Sequence, residues 1–205
     1  MRISLEEAIN RLNRGEVIAI PTDTVYGLAA KSTDHAAIDR LYSLKQREKN
    51  KPMVIQLAQY EDLQEFGYVE DLSDIDLIES FWPGMLTIVL PVDLTCVHTI
   101  IRAGLDTTAF RIPNHFIREK LLVDCGPLVV SSANLSKKMP ALCVEEIELS
   151  FGKDFPIVDG GRLFGQASTV IQKENGLWII LREGRITSTD LARVLTYRPK
   201  VKYLE

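Results

Sequence analysis

The chain has 205 residues, 46% hydrophobic and 25% charged, enough apolar mass to bury a core without disulfides or a structural metal. A net charge of −4 excludes a general polyanion binder, so any nucleic-acid contact must come from a local basic surface on an acidic body. No apolar run approaches the roughly 20 residues that span a bilayer, and MRISLEEAIN carries acids where a signal peptide needs an apolar core; a cytoplasmic protein without membrane contact is expected.

In chain order, Ser4-Leu5-Glu6-Glu7 reads as a capping box that opens a helix, and Gly15 closes it. Residues 17–20 form a short apolar strand stopped by Pro21. Ala37, Ile38, Leu41 and Leu44 sit at helical spacing within residues 34–44. MVIQLA at 53–58 is the next strand, and residues 73–82 read as a helix capped at Ser73 and ended by Pro83-Gly84. A β-rich run follows at 85–90, then strands at 108–112 and 128–131 with a helix starting near Asn114 between them. The tail adds a short helix at 144–149, strands at 157–158, 169–172 and 177–181, and a last helix near 188–190. Strands interleaved with helices predict an α/β domain with a mixed sheet. No repeat, low-complexity tract or linker divides residues 1–205, so a single domain is expected.

Cys96, Cys125 and Cys143 are widely spaced with no C-x-x-C pair, which reads as free thiols in a reducing compartment. His35, His98 and His115 are scattered and form no metal motif. The nearest approach to a Walker A loop, Gly160 to Gly165 followed by Gln166 and Ala167, lacks the lysine and precedes a strand.

Four polar segments instead fall at strand ends, where α/β scaffolds display functional groups. PTDTVYGL at 21–28 is a hydroxyl-rich turn, equally readable as a plain connection. KQREKNKP at 45–52 puts four cations in seven residues, and it reads as a solvated face or as a phosphate-facing segment. SSANLSKK at 131–138 offers small donors or a helix cap. The glycine-rich stretch 159–169, with Arg182 after it, offers backbone N–H groups and a guanidinium.

Taken in order, PTDTVYGL, the K-x-R before a proline, WPG-x-LT at 82–87, FRIP at 110–113, SAN at 132–134, STV at 168–170 and LREG at 181–184 resemble the YrdC-type threonylcarbamoyladenylate synthase family. The likeness spans residues 4–186 and is to the short bacterial TsaC form, without the further C-terminal domain of longer relatives.

The resemblance implies an open twisted mixed α/β sheet with helices packed on it and a deep central cavity. It implies that threonine and bicarbonate or carbon dioxide give N-carboxy-threonine, whose carboxylate attacks the α-phosphate of ATP and releases pyrophosphate. Partner proteins then move the threonylcarbamoyl group to a tRNA adenosine beside the anticodon. Carried onto this chain, Thr24, Tyr26, Gln56, Arg111, Val130 and Ser168 fall on the threonine side. Lys45, Arg47, Lys51, Thr107, Ser132, Asn134, Pro140 and Arg182 fall on the ATP side, with Lys45 and Arg47 as catalytic charge stabilisers. Mg²⁺ is expected on the phosphates, with no protein ligand assigned. An already anionic carbamate oxygen needs positioning and charge neutralisation more than a general base.

The segment after SAN departs from the family pattern, since Ser136-Lys137-Lys138-Met139-Pro140 lacks the usual glycine and serine, which puts the ATP contact at Pro140 in question. Asp23, where glutamate is common, is expected to be benign, and Glu183 replaces a frequent proline. Two rivals stand beside the synthase: a non-enzymatic RNA binder using the same basic cavity, and a carbamoyl-transfer enzyme, for whose zinc fingers the chain has no cysteine pairs. For a synthase, tRNA contact is expected to be weak and salt-sensitive.

Overall fold

Strands buried on both faces need a layer on each side of the sheet, and most strands here alternate between two cores. The structure is a computed structural model that describes residues 1–68 and 72–202. In chain order it contains β1 (Arg2–Ile3), α1 (Leu5–Asn13), β2 (Ile18–Ile20), β3 (Gly27–Lys31), α2 (His35–Lys45), β4 (Val54–Gln56) and a 3₁₀ helix (Tyr60–Phe66). There follow α3 (Leu72–Phe81), β5 (Leu86–Pro91), α4 (Thr99–Arg102), β6 (Thr107–Arg111), and a π-type turn (Arg118–Leu122) that runs into α5 (Val123–Cys125). The chain continues with β7 (Leu128–Ser132), α6 (Val144–Phe151), β8 (Ile157–Val158), β9 (Thr169–Glu174), β10 (Leu177–Arg182) and α7 (Ser188–Leu191). The Ser73 cap lies outside the described side chains.

The ten strands form one mixed sheet in the order β1-β8-β2-β3-β7-β4-β6-β5-β9-β10. β4 runs parallel to β6 and antiparallel to β7, while β5 runs antiparallel to β6 and parallel to β9. Because side chains alternate along a strand, Ile18, Ile20, Ala29, Leu128 and Val130 pack with Ala8 and Leu12 of α1 and with Ile117, Leu121 and Leu122. Their neighbours Ala19, Leu28, Ala30, Ile55, Phe110 and Val129 face the larger core with Ile38 and Leu41 of α2, Leu77 of α3, Ile101 of α4 and Ile147 of α6.

Local chemistry sets most boundaries. The Ser4 hydroxyl accepts from the Glu7 N–H at 3.2 Å, and the Asp34 carboxylate accepts from the Ala37 N–H at 2.9 Å. α2 ends in a Schellman motif: Gln46 sits at φ 51°, the Arg47 N–H donates to Tyr42 O at 3.0 Å, and the Gln46 N–H donates to Ser43 O at 3.0 Å. Residues 27–31, to which the sequence assigns no strand, form β3. GLAAK has little strand propensity of its own, yet β2 and β7 hydrogen-bond it from both sides. No helix among the described residues is long and apolar enough to cross a membrane. All three cysteines are free, with Cys125 buried and Cys96 exposed.

Candidate active site

The floor of a polar cavity comes from one face of four adjacent strands. Val54 and Gln56 of β4, Thr87 of β5, Arg111 of β6, and Val130 and Ser132 of β7 are offset by one residue from the core-facing Ile55, Ile88, Phe110 and Val129. Register sets Gln56 beside Arg111 and Val54 beside Val130. The cavity measures about 390 Å³. Gly27 lets β3 pass close to this floor: a Cβ there would lie 2.5 Å from Val130 Cγ1.

Arg111 anchors one wall. Its Nε donates to Gly84 O at 2.9 Å, Nη1 to Thr24 Oγ1 at 3.1 Å, and Nη2 to Asp23 Oδ1 at 2.5 Å. The other Asp23 oxygen accepts from the Asn114 N–H at 3.1 Å. The ion pair is buried, with side-chain exposures of 5% and 9%, so its geometry must offset a large desolvation cost. Burial pushes the Arg111 guanidinium below its ordinary value, Asp23 pulls it back up, and the nearby Arg182 charge lowers it again. The Gly84 N–H donates to Ile112 O at 2.8 Å, so the WPG and FRIP motifs brace each other. Thr24 is held by Thr22, whose hydroxyl lies 2.8 Å from its own.

Ser168 and Arg182 form the adjoining wall. The Ser168 hydroxyl lies 2.9 Å from Thr87 Oγ1, and Arg182 Nη2 donates to Ser168 O at 3.0 Å and to Ser168 Oγ at 3.1 Å. Burial lowers the Arg182 pKa as well. Gly184 is required here, because a Cβ would sit 2.3 Å from Ala167 O and 2.6 Å from the Ser168 carbonyl carbon. The Tyr26 hydroxyl donates to Gly161 O and accepts from the Gly160 N–H, each at 2.8 Å, pinning the glycine-rich loop. Gln56 is buried, and its Oε1 has no partner among the described residues. A buried acceptor left unmade costs about 1–3 kcal/mol, so this atom suits a ligand N–H.

The opposite wall is made of turns. Arg47 reaches the cavity while its Nη2 donates to Pro52 O at 2.9 Å, and burial lowers its pKa. Lys45 turns inward behind that wall, where its ammonium binds Ser132 O, Asn134 O (2.9 Å) and Asn134 Oδ1 (3.2 Å). Burial, with the Arg47 charge adding to it, lowers Lys45 from 10.5 to about 7.

Of the residues singled out in the sequence, Thr24, Tyr26, Arg47, Gln56, Arg111, Val130, Ser132, Pro140, Ser168 and Arg182 line the cavity. Four do not. Lys45 and Asn134 are spent on each other behind the wall. Lys51 is exposed and paired with Glu48 at 3.2 Å. Thr107 begins β6 opposite Pro91, about 13 Å along the strand from Arg111 at roughly 3.3 Å per residue. The sequence does not reveal Asp23 as the partner of Arg111 or Thr87 as the partner of Ser168. The one signal for Asp23 was its being the lone carboxylate of PTDTVYGL. The lining holds three arginines, of which Arg111 is paired with Asp23 just behind it, so the cavity keeps a net positive charge that suits anions.

Residues 10–184 match the model of the Sua5/YciO/YrdC family, described as "Telomere recombination". Among similar proteins is the threonylcarbamoyl-AMP synthase of Bacillus subtilis, 32% identical over 194 residues, covering 93% of this chain and 56% of that protein. The synthase of Pyrococcus abyssi is 35% identical over 187 residues, covering 90% of this chain and 55% of that protein. This chain therefore spans just over half the length of those two relatives. It covers 89% of a putative threonylcarbamoyl-AMP synthase from Methanocaldococcus jannaschii, 33% identical over 192 residues and 92% of this chain. The crystal structure of P. abyssi Sua5 complexed with L-threonine superposes with a TM-score of 0.91 at 31% identity, over 98% of this chain and 61% of that one.

Proposed function

The chain belongs to the Sua5/YciO/YrdC family, and from that premise we propose that it is a threonylcarbamoyl-AMP synthase. Threonine and bicarbonate or carbon dioxide form a carbamate. Its oxygen bonds to the α-phosphorus of ATP, the bond from that phosphorus to the bridging oxygen breaks, and pyrophosphate leaves. The observation that carries the reading is the convergence of Arg47, Arg111 and Arg182 on one cavity, where among the described residues only Arg111 is paired with a carboxylate, Asp23 behind the lining, so that net positive charge remains. A reaction between a carbamate and a triphosphate needs that excess of fixed positive charge, since developing negative charge is otherwise uncompensated.

Threonine lies on the strand-built side, with its carboxylate toward Arg111, its hydroxyl among Thr24 and Ser168, its ammonium available to the unpaired Gln56 oxygen, and Tyr26 and Val130 as walls. ATP lies on the turn-built side, with Ser132 and Pro140 along the nucleoside and Arg47 and Arg182 toward the phosphates. No three His, Cys, Asp or Glu converge among the described residues. Mg²⁺ is expected to accompany ATP, where it would neutralise charge on the phosphates, and no protein ligand is assigned to it. Separate transfer proteins take the product to tRNA, in the cytoplasm.

The test is pyrophosphate release, which should require ATP, L-threonine and bicarbonate together. Equal turnover without threonine defeats the assignment. The RNA-binding alternative finds little support in the basic run, where Lys49 pairs with Asp39 at 2.5 Å and Lys51 with Glu48 at 3.2 Å. Binding to tRNA is expected in the micromolar range or weaker at physiological salt, by the order of non-specific affinities.

A further inference from the structure

Lys45 is the fully buried cation that the proposed reaction leaves unused. It is 1% exposed, and no carboxylate pairs with it among the described residues. An ammonium has three N–H donors. Here Ser132 O, Asn134 O and Asn134 Oδ1 take all three, which leaves none for a phosphate. The main chain of Lys45 acts on the same turn, since its carbonyl accepts from the Ser136 N–H at 2.8 Å.

Asn134 completes the knot. Its Oδ1 also accepts from Ser132 Oγ at 2.5 Å, and its Nδ2 donates to Leu135 O at 2.9 Å and Lys138 O at 2.8 Å. The segment so tied carries Ser132, Met139 and Pro140 to the cavity. Lys45 is also the last residue of α2, a position where the helix dipole favours a basic side chain.

We infer that Lys45 is a positioning residue: its ammonium shapes residues 132–140 into the surface that receives the nucleoside end of the nucleotide, without touching the phosphates. The inference rests on the synthase reading for the identity of the ligand, and on this geometry alone for the shape of the turn. Loss of a phosphate contact costs more for each added phosphate, whereas loss of a shaped nucleoside surface costs AMP and ATP alike. Arg47 supplies the contrast, because it lines the cavity and Lys45 does not.

The experiment is calorimetric titration of wild type, Lys45→Met and Arg47→Ala with AMP, ATP and L-threonine, together with hydrogen exchange of residues 132–141. Lys45→Met is expected to lower AMP and ATP affinity by the same factor, tenfold or more, and to speed exchange at Ser136. Threonine affinity should stay within twofold, which separates a local role from general destabilisation. Arg47→Ala should weaken ATP at least tenfold more than AMP. Between pH 7 and 9 the phosphates are ionised and Arg47 is the charged neighbour that Lys45 feels; wild-type AMP affinity should fall there, and that of Lys45→Met should not.

Selective loss of ATP with AMP intact in Lys45→Met overturns the inference. So does unchanged exchange across residues 132–141. If Lys45→Met does not fold, Lys45→Arg decides: a positioning role predicts the same AMP and ATP losses, because the longer fork does not fit the three carbonyls, while a phosphate ligand predicts retained ATP affinity. Failure of wild type to bind any nucleotide would end the synthase reading, and exchange in the variant would still judge the turn.

Discussion

The wall around Arg111 and the wall around Arg47 reach the same cavity by different means. Arg111, Thr87 and Ser168 lie on strands or immediately beside them, and each polar group has a partner within 3.1 Å: Asp23 and Thr24 for Arg111, Thr87 for Ser168. Arg47 and Pro140 lie instead outside the strands, in segments where Gln46 at φ 51° and Lys137 at φ 67° hold left-handed backbone conformations without glycine. Strand-built side chains are fixed by the ladder that also makes the core, so their orientation costs little when ligand arrives. A turn has no ladder, and here one buried ammonium does that work. The strand-built wall, where we propose threonine lies, is rigid by construction, and the turn-built wall, proposed for the nucleotide, is held by one cluster around Lys45.

Breaking the first wall should cost most. Asp23→Ala strands a buried guanidinium, and removing one partner of a buried pair costs about 3–5 kcal/mol. Urea denaturation should show that loss, accompanied by weakened threonine binding. A loss below about 1 kcal/mol would mean that Arg111 stands without its carboxylate.

Arg47→Ala sharpens the contrast from the other side. Charge-assisted hydrogen bonds contribute about 1.5–3 kcal/mol, so ATP affinity should fall roughly 10- to 100-fold. The same denaturation curve should move far less than for Asp23→Ala, because this side chain leans on Pro52 O, Lys51 O and the Tyr42 hydroxyl and, among the described residues, is in no buried ion pair. Full activity would return the basic run to a solvated face.

Next in size is a pH effect. Lys45 titrates at about 7 when folded against 10.5 in the reference state, so above pH 7 the unfolded chain holds a proton that the folded chain has lost. Stability therefore rises with pH from about 7 towards 10.5, by at most about 1.4 kcal/mol per pH unit from this group. Below pH 7 both states are charged and the group contributes no slope. Denaturation midpoints of wild type and Lys45→Met, compared from pH 6 to 10, should diverge only above neutrality. Parallel curves would remove Lys45 as the source.

The smallest change concerns the helix end. Gln46→Gly relieves a left-handed residue and should stabilise the fold by about 0.5–1 kcal/mol, visible as a small rise in melting temperature. A drop would show that the Gln46 side chain contributes more than its backbone costs.

The sequence alone determined the α/β class, most helices and strands, and the ordered set of motifs that identifies the family. Those properties are local: hydrophobic period and helix signals such as the Ser4 cap. It also assembled most of the cavity, since the motifs mark strand ends. What it left undecided was long-range. Gly27–Lys31 became a strand because β2 and β7 flank it. Thr107 left the site because strand register put Arg111, four residues on, at the cavity end of β6. Asp23 met Arg111 across 88 residues of chain, and Lys45 turned inward because the Ser132–Asn134 carbonyls, 87 and 89 residues away, form the pocket that an ammonium fills. Pairing and burial decide these outcomes, and neither exists until the sheet is assembled.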